Sequence, residues 1–310
     1  MACKDSKSIK PSFLTFVPRI LGLMCLCVLL FSFNSCRTMS GVPAAFKEDA
    51  THAPLESGAV VYIFANVKEA RSIIDLLPIE ELNDKYTKQM LDKTNYITAA
   101  LFPQKSGRRF HLAAWGKYPS NADMAFSMNK EWKKIRSTSN YTYWHSERGR
   151  LSILMNSKQA FVAASLTSAP LEPLPSPPGA EIPEGFNEFR QNNNPQPSIS
   201  FWMDNPGSAI SGILSAAGIP IRFPVQKLFL SLVSKEKKYI ANINFQFENV
   251  SQARGVTALL SIAAGYMPND PIASIFLANP PVQNGRNVML KTAALDEKEL
   301  SLLLTMFSLY

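Results

Sequence analysis

The sequence predicts an α+β protein with a mainly antiparallel sheet and amphipathic helices packed on it. Residues 59–65 (AVVYIFA) form a continuous apolar run that is rich in β-branched and aromatic side chains, which is typical of a buried strand. From Tyr239 to Phe247 apolar and polar residues alternate, the pattern of a strand with one buried face. Asn66 with Glu69 three residues later indicates a helix start, so a helix should follow the first strand directly.

The remaining patterns of the first half predict strands joined by short turns, with two more helices. A loop with Pro and Gly joins two predicted strands as a hairpin. Ser120 and Asp123 open a helix whose inward residues should be Ala122, Ala125, Phe126 and Trp132. The predicted strands are 96–102, 108–116, 141–146, 151–155 and 159–164, and a helix is predicted over 79–91.

The second half repeats a similar order of elements. Asn205 and Pro206 supply a helix cap and a proline at the first helical position, after a predicted strand at 199–203. Asp296 with Glu299 starts the last helix. Helices are also predicted over 210–217, 225–233, 249–264 and 270–277, and a strand over 287–292.

Two short alignments suggest an internal duplication. The segment VYIFAN, ending at Asn66, matches SFWMDN, ending at Asn205. NYITAALF, from Asn95, matches KYIANINF, from Lys238. We therefore expect two similar α+β halves, which could share one sheet.

Domain boundaries follow from composition. Residues 168–197 contain eight prolines and a QNNN run, a composition that favours extended chain and should not build a core. They are predicted to be a linker or a long surface loop. The expected organisation is a signal peptide at 1–35, a lipidated tether at 36–57, a first α+β unit at 58–167, this linker, and a second α+β unit at 198–310.

The N-terminal segment predicts export. Four basic residues and one acidic residue precede an uncharged apolar run from Ile20 to Phe33, the pattern of a secretory signal peptide. A transmembrane helix is the alternative, but it needs about 20 apolar residues, and Pro18 and Arg19 stop the run on its N-terminal side. A cleaved signal is therefore favoured.

Cys36 stands at the end of the apolar run, after Phe33, Asn34 and Ser35. The other three cysteines lie before it and none follows it, which suits an oxidising compartment where a stray thiol is a liability. An ordinary free thiol at Cys36 is the alternative. The segment resembles the relaxed lipoboxes of spirochaete-type bacterial lipoproteins. That resemblance implies that Cys36 is acylated, for example by palmitate, and becomes the mature N-terminus.

A basic stretch lies in the first half. The chain carries a net charge of +8, and residues 104–150 contain ten basic residues against three acidic ones. A solvated surface is one interpretation. The other is a contact with anionic lipid headgroups, to which each basic residue near the surface adds about 1 kcal/mol. The candidate lipid contacts are Lys105, Arg108, Arg109, Lys130, Lys133, Lys134 and Arg136.

Catalytic and metal-binding motifs are missing from the sequence. Its three histidines have no second ligand at metal-site spacing, and neither a GxSxG elbow, a P-loop nor a GxGxxG occurs. Past Cys36 the chain has no cysteine for thiol catalysis or a cysteine metal site. The basic stretch matches no nucleic-acid-binding module. We expect a non-enzymatic protein with no cofactor, no metal and no nucleic-acid partner.

Three segments are more apolar than packing on one face requires: 225–233, 255–266 and 294–309. Core packing is one interpretation, and insertion into a bilayer interface is the other. This plan is similar to that of treponemal outer-membrane-associated lipoproteins, which implies an α/β/α body with membrane-inserting amphipathic helices and a location at the outer membrane.

The expected function is that of a lipid-anchored, periplasm-facing envelope protein that binds membrane lipid or an envelope partner. The alternative is a lipid-tethered module that holds a small ligand or a protein in a groove between the halves, lined by Trp115, Trp144 and Trp202.

Overall fold

A single twelve-stranded antiparallel sheet runs through both halves of the protein. The structure is a computed structural model. It describes residues 58–76, 85–103, 108–137, 141–155, 157–171, 185–186, 189, 197–207, 211, 223–236, 238–266 and 279–301. The predicted signal peptide, the tether with Cys36, and the predicted helices over 210–217 (apart from Ser211) and 270–277 lie outside these residues.

Most strands pair in the sheet with the strand that precedes or follows them in sequence. They are β1 (Val61–Asn66), β2 (Thr94–Leu101), β3 (Arg108–Gly116), β4 (Trp132–Arg136), β5 (Thr142–Ser146), β6 (Leu151–Met155), β7 (Gln159–Ser165), β8 (Ile199–Asp204), β9 (Val225–Lys235), β10 (Lys238–Phe247), β11 (Val282–Asn284) and β12 (Asn287–Lys291). Their order across the sheet is β11-β12-β10-β9-β8-β1-β2-β3-β7-β6-β5-β4. The edge strands are therefore β11 and β4.

Four helices have defined bounds: α1 (Val67–Ile74), α2 (Lys85–Lys93), α3 (Met124–Met128) and α4 (Val250–Tyr266). A further helix begins at Glu297 and is described as far as Ser301. The predicted cap of α1 is present, because the Asn66 Oδ1 accepts a hydrogen bond from the Glu69 backbone N–H. The predicted capping box at Asp296 is also present, since the Asp296 and Glu299 side chains each accept from the other's backbone N–H.

Strand pairing divides the side chains between two faces of the sheet, because successive residues of a strand point to opposite sides. The first, which we term the helical face, includes Leu112, Val162, Leu232, Ala241 and Val288. Apolar clusters join these residues to the buried sides of all four helices. The second, the opposite face, includes Tyr62, Trp115, Phe161, Trp202 and Phe229, which form the largest aromatic cluster.

The predicted helix over 225–233 is wrong, because these residues belong to strand β9. The strand lies between β8 and β10 in the middle of the sheet. Leu230 and Leu232 pack on the helical face, whereas Phe229 packs on the opposite face. A strand covered on both sides has a nearly continuous apolar sequence, which periodicity alone does not distinguish from a buried helix.

The helix predicted from Ser120 is shorter than expected. Of its inward residues, Phe126 lies in α3, while Trp132 is the first residue of the edge strand β4, which was not predicted. The two aromatic rings nevertheless pack against each other, with centroids 4.8 Å apart. Of the helix predicted over 79–91, residues 79–84 lie outside the described residues and residues 85–91 are helical, while α2 continues to Lys93.

Strands β1 and β8 join the two halves by direct antiparallel pairing. The first sequence alignment matches these two strands at the centre of the sheet. The second matches β2 with β10, but β2 lies beside β1, whereas β9 separates β10 from β8. The two halves are thus parts of one sheet, and the second alignment does not pair strands at equivalent positions.

Part of the proline-rich segment packs on the opposite face. Phe186 is 2% exposed and belongs to the aromatic cluster, and the ring centroid of Phe189 lies 5.3 Å from that of Phe229. At the start of the segment, the Ser168 carbonyl is 2.9 Å from the His145 Nε2, and the Leu171 backbone N–H donates to the Ser152 hydroxyl. The segment thus contributes to the core, although its composition suggested otherwise.

Candidate lipid-facing surface

Several exposed basic side chains of the stretch 104–150 lie at one end of the edge strand β4. This strand runs antiparallel to β5 and starts opposite Ser146, beside the turn 147–150. We term the surface formed by Lys130, Lys133, Lys134 and Arg148 the basic end; all four side chains are exposed. Side chains alternate along β4, so Lys133 projects from the opposite face and Lys134 from the helical face.

The basic side chains of the basic end differ in their contacts. Lys133 forms an ion pair with Glu147, with 2.6 Å between the Nζ and the Oε1. Through this hydrogen bond and its charge, Lys133 holds the pKa of the Glu147 carboxyl below its usual value. Lys134 lies over the Trp144 ring, with its Nζ 5.6 Å from the ring centroid, a cation–π geometry. Because Lys133 already has a carboxylate partner, Lys130 and Lys134 are the stronger candidates for an anionic ligand.

Two exposed methionines accompany these lysines. Helix α3 presents Met124 and Met128, which are 46% and 63% exposed, while its Phe126 is buried against Trp132 and Trp144. The two methionines are four residues apart and therefore lie on the same side of the helix. The sequence prediction, which was based on charge alone, missed them; their helical spacing was the available signal.

The structure places the other predicted lipid contacts differently. Arg136 pairs with Thr142 at the last position of β4, two residues beyond Lys134 and on the same face of the sheet. Arg108 pairs with Ser165 on β7, and the Ser165 backbone N–H donates to the Arg150 carbonyl. The backbone of Arg108 therefore lies at the same end of the sheet as the turn 147–150. The side chains of Arg108 and Arg109, and all of Lys105, lie outside the described residues.

The predicted tryptophan-lined groove is wrong. Trp115 and Trp202 are buried on the opposite face, whereas Trp144 packs with Phe126 on the helical face. Side chains on opposite sides of one sheet cannot line one groove. The direct pairing of β1 with β8 also leaves no gap between the halves at that point.

The described residues include no group of three His, Cys, Asp or Glu side chains that could hold a metal ion. His145 is buried, with its Nδ1 3.0 Å from the Ser152 hydroxyl and its Nε2 2.9 Å from the Ser168 carbonyl. Both ring nitrogens are thus engaged in holding the strand and the segment after β7. His111 lies in contact with the Phe102 ring. Both histidines occupy structural positions.

The predicted apolar helices are only partly present as helices. Within 255–266, helix α4 exposes Leu259 and Ile262, which are 44% and 55% exposed. In the last helix Leu300 is completely buried, against Tyr239 and Ala241. The remaining segment, residues 225–233, belongs to strand β9. Over the part of the chain that the structure describes, no helix is long and apolar enough to span a bilayer.

The fold defines the class of protein. Three solved structures of TP0453 share it at 17–19% sequence identity. Crystal form III covers 83% of this chain and 97% of its own, with a TM-score of 0.56; the values for form I are 83%, 95% and 0.57, and for form IV 82%, 95% and 0.58. A comparison with curated proteins finds no match.

Residues 53–267 match the family described as outer membrane-associated lipoprotein TP0453. The chain belongs to this family. Membership confirms the resemblance seen in the sequence and the predicted location in the cell envelope, at the outer membrane.

Proposed function

We propose that the protein is a non-enzymatic lipoprotein, anchored through acylated Cys36 and facing the periplasm, whose folded part binds anionic membrane lipid at the basic end. The observation that carries the proposal is the placement of Lys130 and Lys134 beside the exposed Met124 and Met128. Lysines attract anionic headgroups, and apolar side chains enter the acyl boundary, so the pair of features suits a membrane interface.

Helix α4 offers a second apolar surface through Leu259 and Ile262. It packs near β12 and β10 on the helical face, toward the edge of the sheet that is farthest from β4. Adjacent strands are rotated by about 20–25° relative to each other, so the two ends of a twelve-stranded sheet face different directions. A single flat membrane therefore does not easily contact both the basic end and the apolar surface of α4. We therefore assign the lipid contact to the basic end, where apolar and basic groups coincide.

A charge-reversal pair tests the assignment. Lys130→Glu combined with Lys134→Glu should weaken binding to anionic vesicles about tenfold or more, because each lysine near the surface adds about 1 kcal/mol. The matched control is Lys68→Glu with Lys88→Glu, which changes the net charge equally at exposed positions on α1 and α2. Vesicle cosedimentation at low salt measures the effect. If both pairs weaken binding equally, only net charge matters and the assignment is wrong.

We also propose that the two halves arose by duplication. In support, β1 and β8 pair at the centre of the sheet, and a hairpin strand order continues outwards on both sides, through β2 and β3 and through β9 and β10. Asn66 is the last residue of β1 and Asn205 comes directly after β8, and the two are matched in the sequence alignment.

A further inference from the structure

The C-terminal half of the opposite face is lined by carboxamide side chains. On β10, Asn242, Asn244 and Gln246 point to this face, while the alternate residues Ile243, Phe245 and Phe247 point to the helical face. The neighbouring strands add Asn287 and Asn284, which follow Gln246 across the sheet by register. We term the surface formed by these five residues the amide face. The four helices with defined bounds pack on the other side of the sheet.

The amide face is accessible. Its three β10 residues are half-buried and Asn284 is exposed. Beside Asn244 lies Met289, and Val282 lies opposite Met289; these apolar side chains are 40% and 54% exposed. Polar amides and an exposed apolar strip therefore stand next to each other on one flat surface.

The hydrogen bonding of this surface is incomplete. Among the described residues, the buried Asn244 Oδ1, Ser200 Oγ and Trp202 Nε1 make no hydrogen bond. Ser200 and Trp202 are 0% and 6% exposed and lie on β8, two strands from Asn242 and Asn244. Leaving a buried polar atom unpaired costs about 1–3 kcal/mol. Within the amide face, Asn242 donates from its Nδ2 to the Ser231 hydroxyl at 3.4 Å, whereas the Asn244 Oδ1 has no hydrogen-bond partner.

We infer that the amide face binds a neutral glycan chain whose sugars carry hydroxyl and acetamido groups. Carboxamides donate and accept hydrogen bonds at once, as such sugars do, and Met289 and Val282 suit the apolar C–H face of a sugar ring. Rotation of the Asn244 amide would bring its unpaired oxygen to a donor of the ligand.

Charge and topology argue against other classes of ligand. On this face Lys227 lies opposite Asp204 and Lys291 lies opposite Asn242. Exposed Lys238 lies at the start of β10, and Arg286 lies in the turn between β11 and β12. These scattered positive charges do not form the dense basic surface that a phosphate-rich polymer needs. An extended peptide binds by main-chain pairing with a sheet edge, here β11, and that mode would not use the carboxamides of β10. The surface thus matches an uncharged, hydroxyl-rich chain.

The test is a titration of the full-length chain in neutral detergent with chitotetraose and cellotetraose, followed by saturation-transfer NMR. The double variant Asn244→Ala with Gln246→Ala should bind about tenfold more weakly than the unaltered chain. The matched control is Gln283→Ala, which removes a carboxamide from the helical face and should leave binding unchanged. If the double variant lowers the melting temperature, Gln246→Glu replaces it, since this variant keeps the side-chain size and removes both amide donors.

Binding of either oligosaccharide with this dependence on the amide face supports the inference. Absence of binding to both, equal weakening by Gln283→Ala, or tighter binding of an uncharged Gly-Ser peptide would overturn it. The inference does not rest on lipid binding. Vesicle cosedimentation tests the basic end and the glycan titration tests the amide face, so a negative result in one leaves the other unaffected.

Discussion

Phe186 illustrates what a single residue does in this structure. It lies in a segment dominated by proline, yet its side chain is 2% exposed and packs in the aromatic cluster of the opposite face. Phe189 adds a ring contact with Phe229. Burying a large apolar side chain stabilises the folded state, whatever the composition of the surrounding sequence.

Truncating this side chain should therefore destabilise the whole protein. Phe186→Ala is expected to lower the free energy of unfolding by about 3–5 kcal/mol, because it removes the buried ring and leaves a cavity. Urea denaturation followed by circular dichroism measures the change. Leu166→Ala, at a half-buried position outside the cluster, is the control and should cost less. A loss under about 1 kcal/mol for Phe186→Ala would show that the segment is not docked on the sheet.

Features that depend on residues close in sequence could be predicted from the sequence, and contacts between residues far apart in sequence could not. The caps at Asn66 and Asp296 depend on residues three apart, so the sequence revealed both. The position of Arg136 depends on how β4 pairs with β5, and a count of charges along the chain does not contain that information. The contact of Phe186 with the cluster likewise joins residues far apart in sequence.

Helix α4 is an element that the local sequence predicts correctly. The sequence predicted its start at Asn249, and the Asn249 Oδ1 accepts a hydrogen bond from the Gln252 backbone N–H at 2.9 Å. The helix then buries Ala253 and Val256 against Phe247 and Val288. In β9, by contrast, propensity and periodicity allowed a helix, and the position of the strand between two others decided the outcome.

The cap of α4 makes a second stability prediction. Asn249→Ala should cost about 1 kcal/mol of stability, because it leaves a helix N–H group without its acceptor. Asn249→Asp keeps an acceptor oxygen at the same place and should preserve stability, so it is the matched control. Thermal unfolding compares the variants. Equal loss in both would mean that the cap does not stabilise α4.

At the scale of the whole molecule, the two predicted units form one continuous sheet. The sequence indicated the order of strands and helices but not the pairing of β1 with β8, which joins residues more than 130 positions apart. That pairing places the basic end at one edge of the sheet and the amide face near the other. If both surfaces bind as proposed, the protein can hold a membrane and a glycan at opposite edges.

Flotation of residues 37–310, which lack Cys36 and with it the proposed acylation site, measures lipid binding by the folded part alone. We predict that this chain floats with anionic liposomes at low salt, floats less at high salt because ions screen the lysines, and does not float with neutral liposomes. Failure to float with anionic liposomes at low salt would contradict lipid binding by the folded part and would leave the proposed acylation of Cys36 as the one proposed membrane contact.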